Sequence, residues 1–287
     1  MKTEFDHILN KHLHRLEPIQ TAQKIRLSKH KPYKLVVFDI YGTLLISGTG
    51  DVGSTGENNG LKAFKETMSV VFHVSAAHTE DPIRSEIETV HQKMKQSGVD
   101  FPEVDIQQIW QSVLEREGLP FTEKQRDEAI LEFECRLNPV WPMPGFLELM
   151  EEIKQEDVGF ETGIVSNAQF YTPLIVEYFL EKPLSSTAFN PEICTFSYTL
   201  GEAKPSGKMF EQVRTFSEKN GIDPDEVLYV GNDMLKDVYT ASLNGFDTVL
   251  FAGDQRSLRL REEDDRCEKI YPTHIVTQLD ELRSILF

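Results

Sequence analysis

Four short segments of this sequence bring carboxylates, a hydroxyl and a lysine within reach of one reacting group. Asp39 with Thr43, Ser166 with Asn167, Lys204, and Asp233 with Asp237 each follow a run rich in β-branched or aromatic residues. A carboxylate such as Asp39 can attack phosphorus and form an acyl phosphate that water then cleaves. Nucleophile and phosphate are both anions, so a cation must bridge them. Asp39 and Asp233, with the backbone carbonyl of Tyr41, are suited to share Mg²⁺, which takes a few oxygen ligands and keeps several waters. Ser166 and nearby amides can hydrogen-bond the transferring group, and Lys204 can neutralise its developing charge. Asp237, four residues after Asp233, faces the same way and can hold Lys204 or a metal-bound water.

These residues need a frame that gathers them. Residues 34–40 (KLVVFDI) form a short apolar run of the buried parallel-strand type. Strands are expected again over 161–166, 193–199, 226–231 and 247–251, with a last short one near Ile275. Helices are expected between them over 146–155, 171–181, 206–219 and 234–243. Strands separated by helices of this length make a parallel, doubly wound sheet. In such sheets ligands bind beyond the carboxyl ends of the strands, which is where all four segments fall.

Between the first two strands lies a long stretch without strand character. Helices are expected over 82–96, from about Asp105 to Gly118, and from Thr122, an N-cap with Gln125 three residues on. The fold class expected is therefore α/β: a Rossmann-like, doubly wound parallel sheet core with an inserted α-helical cap domain and an N-terminal helical extension. The division expected is 1–33 for the extension, 34–47 and 146–287 for the core, and 48–145 for a flap loop and the cap. The extension rests on Phe5, Ile8, Leu9, Leu13, Leu16 and Ile19, which share one face of a helix. The segment 139–145 (PVWPMPG) reads as a crossover between domains.

Plainer readings compete at each position. An isolated Asp or Ser after a strand usually caps a helix, and a Lys before a Pro is usually solvated. Capping does not predict all four positions together, so a site is favoured. Gly48, Gly50 and Gly53 mimic a dinucleotide fingerprint, but no strand-to-helix turn holds them and Asp51 would repel phosphate. A hinge or flap is the better reading of 47–60, which has five glycines.

The segments VVFDIYGTLL (36–45), GIVSNA (163–168), AKPSGKMF (203–210) and YVGNDMLKDV (229–238) resemble, in order, the four motifs of the haloacid dehalogenase-like superfamily. The resemblance covers essentially the chain beyond residue 34, and the helical insertion is similar to the cap of the subgroup holding the dehalogenases and many small-molecule phosphatases. It implies a covalent aspartyl intermediate on Asp39, a magnesium site and a cap that closes over the substrate.

One position departs from the pattern. Most phosphatases of this superfamily carry a second Asp two residues after the nucleophile as general acid and base, and here Tyr41 stands there. A phenol, with an ordinary pKa of about 10, is a poor proton donor at neutral pH. Two enzymatic readings follow. The first is a Mg²⁺-dependent hydrolase acting on a small phosphorylated substrate, restricted to leaving groups that are weak bases. The second is a metal-free 2-haloacid dehalogenase type, whose first motif has this Asp-x-Tyr-Gly-Thr form. It is disfavoured by the Asn232–Asp233 pair and by the lack of a clear counterpart to the substrate-gripping arginine, for which Arg84 is the candidate. A third reading is a catalytically weak binding protein. A phosphonate-cleaving variant would need a cap lysine poised for a Schiff base, and Lys62, Lys65, Lys93 and Lys95 read as helix surface. Trp110, His73, His78, Arg84 and His91 are candidate cap contributors, each with a structural role as the commoner use.

Composition sets outer limits. The 287 residues are 39% hydrophobic and 27% charged, as in ordinary globular proteins. The net charge of −17 argues against a nucleic-acid partner. No apolar run reaches the roughly 18 residues of a membrane span, and no signal-like segment opens the chain, so a cytoplasmic location is expected. Residues 1–34 alone carry a net +5, expected to dock on the acidic remainder. Cys135, Cys194 and Cys267 fit neither a disulfide framework nor a zinc spacing.

Overall fold

The computed structural model describes residues 4–29, 31–50, 57–155 and 158–287; Asp51 and Gly53 of the expected flap lie outside them. Its centre is β1 (Leu35–Phe38), whose four side chains are all buried because neighbouring strands cover both edges and layers cover both faces. A parallel strand of this kind must be apolar throughout. It pairs on one side with β4 (Glu161–Ser166) and on the other with β6 (Val227–Gly231), with Phe38 opposite both Ile164 and Val230. The sheet is completed by β5 (Phe189–Phe196), β7 (Asp247–Phe251) and β8 (His274–Val276), in the order β5-β4-β1-β6-β7-β8 and parallel throughout. The order reverses direction at β1, so β4 and β6 lie on either side of Asp39.

Helices α6 (Phe146–Gln155), α7 (Tyr171–Leu180), α8 (Ser197–Leu200), α9 (Glu211–Asn220), α10 (Thr240–Leu243) and α11 (Arg283–Leu286) follow or flank the strands. Two expected helices are more broken than periodicity suggests. The one over 206–219 opens with a 3₁₀ turn at Gly207–Phe210, and the one over 234–243 begins as a π-helical stretch at Met234–Tyr239. The third strand starts earlier and ends earlier than expected, because residues 197–200 fold into α8.

The insertion comprises α2 (Glu57–Val71), α3 (Pro82–Gln96), α4 (Ile106–Arg116) and α5 (Glu123–Leu137). Local chemistry fixes their starts. Asp81 accepts the amides of Ile83 and Arg84 ahead of α3, Asp105 that of Gln107 ahead of α4, and Thr122 with Gln125 closes a capping box on α5. Such caps each contribute about 1 kcal/mol. Trp110 belongs to this core rather than to a site: its ring lies 5.7 Å from Phe64 and 5.4 Å from Phe133.

Two findings differ from the sequence reading. The crossover at 139–145 contains β3 (Val140–Pro142), which pairs antiparallel with β2 (Leu45–Ser47) and ties both crossings between core and insertion together. The prolines of the segment concealed it, since a two-stranded ribbon needs few ladder bonds. The N-terminal helix is also short: α1 spans Asp6–His12 and the chain is extended from Leu13. Ile19 is half exposed, and Arg26 exchanges backbone hydrogen bonds with Ile275 on β8 at 2.9 and 2.8 Å. The extension thus touches the sheet edge as well as the cap, where Lys11 and His12 each reach Glu132 of α5 at 2.6 Å. The basic segment does dock on the chain's own acidic body.

Candidate active site

Asp39 leaves the carboxyl end of β1 with its amide bound to Val230 O at 2.9 Å, so the neighbouring strand orients it. The chain then turns tightly at Gly42, where φ is +83°. A Cβ there would stand 2.5 Å from Ser257 Cβ and 2.6 Å from Asn232 Nδ2, so only glycine lets these three segments meet. Thr43 donates to Asn232 Oδ1 at 3.3 Å, and Asn232 donates to Ser257 O at 2.6 Å. Thr43 therefore braces the turn and does not reach the cavity wall.

Lys204 is the hub. Its ammonium lies 2.7 Å from Asp39 Oδ1, 2.6 Å from Asp237 Oδ1, 2.9 Å from the Tyr229 hydroxyl and 3.1 Å from Val165 O. Its side chain is only 2% exposed. Burial alone would drive the proton off, but Asp237 and Asp39 outweigh it and hold the ammonium above its usual value. Asn167 sets its height by clamping the Lys204 backbone, accepting from its amide at 2.7 Å and donating to its carbonyl at 3.3 Å. Burial, with Asp39 and Asp233 nearby, keeps Asp237 above the ordinary carboxylate range against the pull of Lys204. Asp237 Oδ2 also accepts the Asp233 amide at 3.0 Å.

Asp233 faces the same cavity but is already engaged. Its Oδ1 accepts the amides of Leu235 and Lys236 at 2.8 and 3.1 Å, so it caps the π-helical stretch as well. Arg261 grips it with two hydrogen bonds, at 3.1 Å to Oδ1 and 2.5 Å to Oδ2. Burial disfavours the charge, but Arg261 and the amides together hold Asp233 below its ordinary range. Arg261 had no signal in the motif pattern, nor had Ser257 or Arg259, and Tyr229 lay in the fourth motif segment without a role assigned to it. Extending the strand-end rule to β7 would have pointed to the loop at 252–261, though not to which side chain turns inward.

Ser166, at the end of β4, is fully buried, and its hydroxyl has no hydrogen-bond partner among the described residues; Ser257 is alike. Tyr41 does not supply what an aspartate would. Its hydroxyl bonds Thr172 Oγ1 at 2.8 Å, and burial pushes its ionisation further up.

Above Asp39 opens a cavity of about 690 Å³ lined by both halves of the chain. That is within the range of small-molecule sites. The core contributes Asp39, Tyr41, Asn167, Lys204, Asp233 and Asp237, and the insertion contributes residues of α3 and α5. Of the cap candidates, Arg84 and His91 line it, while Trp110, His73 and His78 do not, nor do Lys62, Lys65, Lys93 and Lys95. Arg84 donates to Glu88 at 3.0 Å.

The donors suit magnesium in kind: carboxylate oxygens of Asp39 and Asp233 on one wall, with Asp233 held in its charged form. Among the described residues no group of three or more His, Cys, Asp or Glu could hold a metal ion, so an ion there would rest on two carboxylates, a carbonyl and water. Asp233 would also have to exchange part of its pairing with Arg261.

Comparison with solved structures finds 2-haloacid dehalogenase from Pseudomonas syringae pv. Tomato at TM-score 0.56 and 15% identity, covering 88% of this chain and 98% of that one. A HAD phosphatase from Thermococcus onnurineus follows at TM-score 0.49 and 21% identity, covering 88% and 97%. Comparison with curated proteins finds no match. A family model described as haloacid dehalogenase-like hydrolase matches residues 33–243, from the strand that carries Asp39 to the helix that follows Asp237. The chain belongs to the haloacid dehalogenase-like hydrolases.

Proposed function

We propose that the protein is a magnesium-dependent hydrolase of small phosphorylated substrates that works through a covalent phosphate on Asp39. The observation that carries this reading is the Asp39 carboxylate at the cavity wall, with one oxygen fixed 2.7 Å from a buried ammonium. Lys204 keeps the nucleophile oriented and offers positive charge to the phosphoryl oxygens. Ser257 lines the cavity with a hydroxyl that has no acceptor among the described residues, suited to an anionic group, whereas Ser166 is buried outside the lining. Magnesium held by Asp39, Asp233 and the Tyr41 carbonyl would offset the charge between nucleophile and phosphate. Asp237 serves by fixing Lys204 and the Asp233 amide rather than by touching substrate.

Position 41 gives the leaving group no proton, so acyl phosphates and anhydrides are turned over without further help. A metal-free dehalogenase reading retains one supporting observation, that Arg84 lines the cavity, but the Asp233 carboxylate on the same lining would repel a carboxylate substrate. Turnover of phosphate and acyl-phosphate panels with and without Mg²⁺ separates the two. Halide release from 2-chloropropionate that survives chelator would overturn the phosphatase reading.

A further inference from the structure

A displaced oxygen leaves opposite the attacking carboxylate, so it departs from Asp39 toward the cap wall of the cavity. The core carboxyls and the Tyr41 hydroxyl there are already engaged. The Tyr41 hydroxyl is tied to Thr172, Asp237 to Lys204 and the Asp233 amide, and Asp233 to Arg261. Of the cap-side carboxyls lining the cavity, Asp81 is bound by the first amides of α3. Glu88 accepts from Arg84. Glu103 accepts from Val104 N, Gln169 Nε2 and Ser197 Oγ at 3.0, 3.1 and 2.7 Å. Glu134, on α5, lines the cavity beside Tyr171. Among the described residues no hydrogen bond of ordinary length reaches its side chain, unlike those of Asp81, Glu88 and Glu103, which leaves its carboxyl open to a ligand.

We propose that Glu134 is the catalytic proton donor to the leaving oxygen, delivered from the cap to a site whose core lacks one. The inference rests on the phosphoryl-transfer reading. The groups facing Glu134 are Tyr171 from α7, Asp81 ahead of α3, Tyr41 beyond β1 and, on its own helix, Cys135. Burial is the main influence on it and lifts its carboxyl to about 7, with Asp81 adding to the rise and Tyr171 opposing it. A carboxylic acid near neutrality suits general acid catalysis.

The steps balance. An Asp39 oxygen forms the bond to phosphorus while the ester P–O bond breaks, and its electron pair takes the Glu134 proton. The resulting Glu134 carboxylate then takes a proton from the water that attacks the acyl phosphate. Inorganic phosphate leaves, and both carboxyls return to their starting states.

The test compares the full-length wild type and Glu134→Gln, with Mg²⁺, on phenyl phosphate and 4-nitrophenyl phosphate. These differ in leaving-group basicity far more than in shape, and kcat/KM reports the first transfer alone. The expected result is a loss of ~10²-fold or more with phenyl phosphate and less than about tenfold with the nitro ester. The fall in wild-type kcat/KM above about pH 7 should disappear in the variant. Glu134→Asp should restore part of the phenyl ester rate. Equal losses on both esters, with the alkaline limb intact, would show a structural role and overturn the inference while leaving the Asp39 reading standing. Wild type that turns over acetyl phosphate but neither ester overturns the inference alone; wild type that turns over none of the three overturns the phosphoryl-transfer reading, and the inference with it.

Discussion

Replacing Lys204 by Met removes the one cation between Asp39 and Asp237 while keeping most of the side-chain volume. At 2.6–2.7 Å, Coulomb's law with an effective dielectric of 20 gives about 6 kcal/mol for each contact. Desolvation of the ammonium offsets much of that, so the net cost of breaking the cluster is about 3–5 kcal/mol. The two stranded carboxylates should then share a proton, with at least one pKa raised well above that of the unfolded chain. A carboxyl whose folded pKa is raised destabilises the fold only once it ionises. The variant should therefore be closest to wild type at about pH 5 and lose stability as pH rises toward 8. Urea unfolding at those two pH values, followed by far-UV circular dichroism, gives both magnitude and slope. A loss under about 1 kcal/mol that is the same at both pH values would refute the electrostatic account of the hub.

Two further outcomes follow from named contacts. Glu132 accepts Lys11, His12 and Arg136, and although burial opposes ionisation, these partners bring its carboxyl to about 2. That stability is present above the unfolded value near 4.5 and fades as pH falls toward 2, amounting to about 2 kcal/mol once screening at exposed Lys11 is allowed for; Glu132→Gln should abolish this acid dependence in urea titrations. Arg261→Ala should free Asp233 for a metal and strengthen Mg²⁺ binding several-fold by calorimetry, whereas unchanged or weaker binding would mean that the pair is not a competitor.

Much of the frame was legible because its signals are local. Asp81-Pro82, Asp105 and the Thr122–Gln125 pair announce three helix starts, and LVVF announces a central strand. Asp39, Asn167, Lys204, Asp233 and Asp237 line one cavity because they follow strands at one edge of the sheet, whereas Thr43 and Ser166 do not line it. What stayed hidden depends on distant partners. The first helix stops at His12 although apolar spacing continues, and the chain beyond it is held by distant partners such as Ile275, which Arg26 meets. β3 is concealed by its proline and shown only by its pairing with β2. Arg261 and Ser257 lie in an irregular loop with no period, and nothing near Glu134 in sequence tells which wall of the folded chain it lines.

The central claim is the covalent phosphate on Asp39. Rapid acid quench of the wild type with Mg²⁺ and acetyl phosphate, followed by peptide mass mapping, should show one added phosphoryl group on the peptide carrying Asp39, released by hydroxylamine and absent in Asp39→Asn. Turnover without any such adduct, or an adduct that persists in Asp39→Asn, would contradict the account.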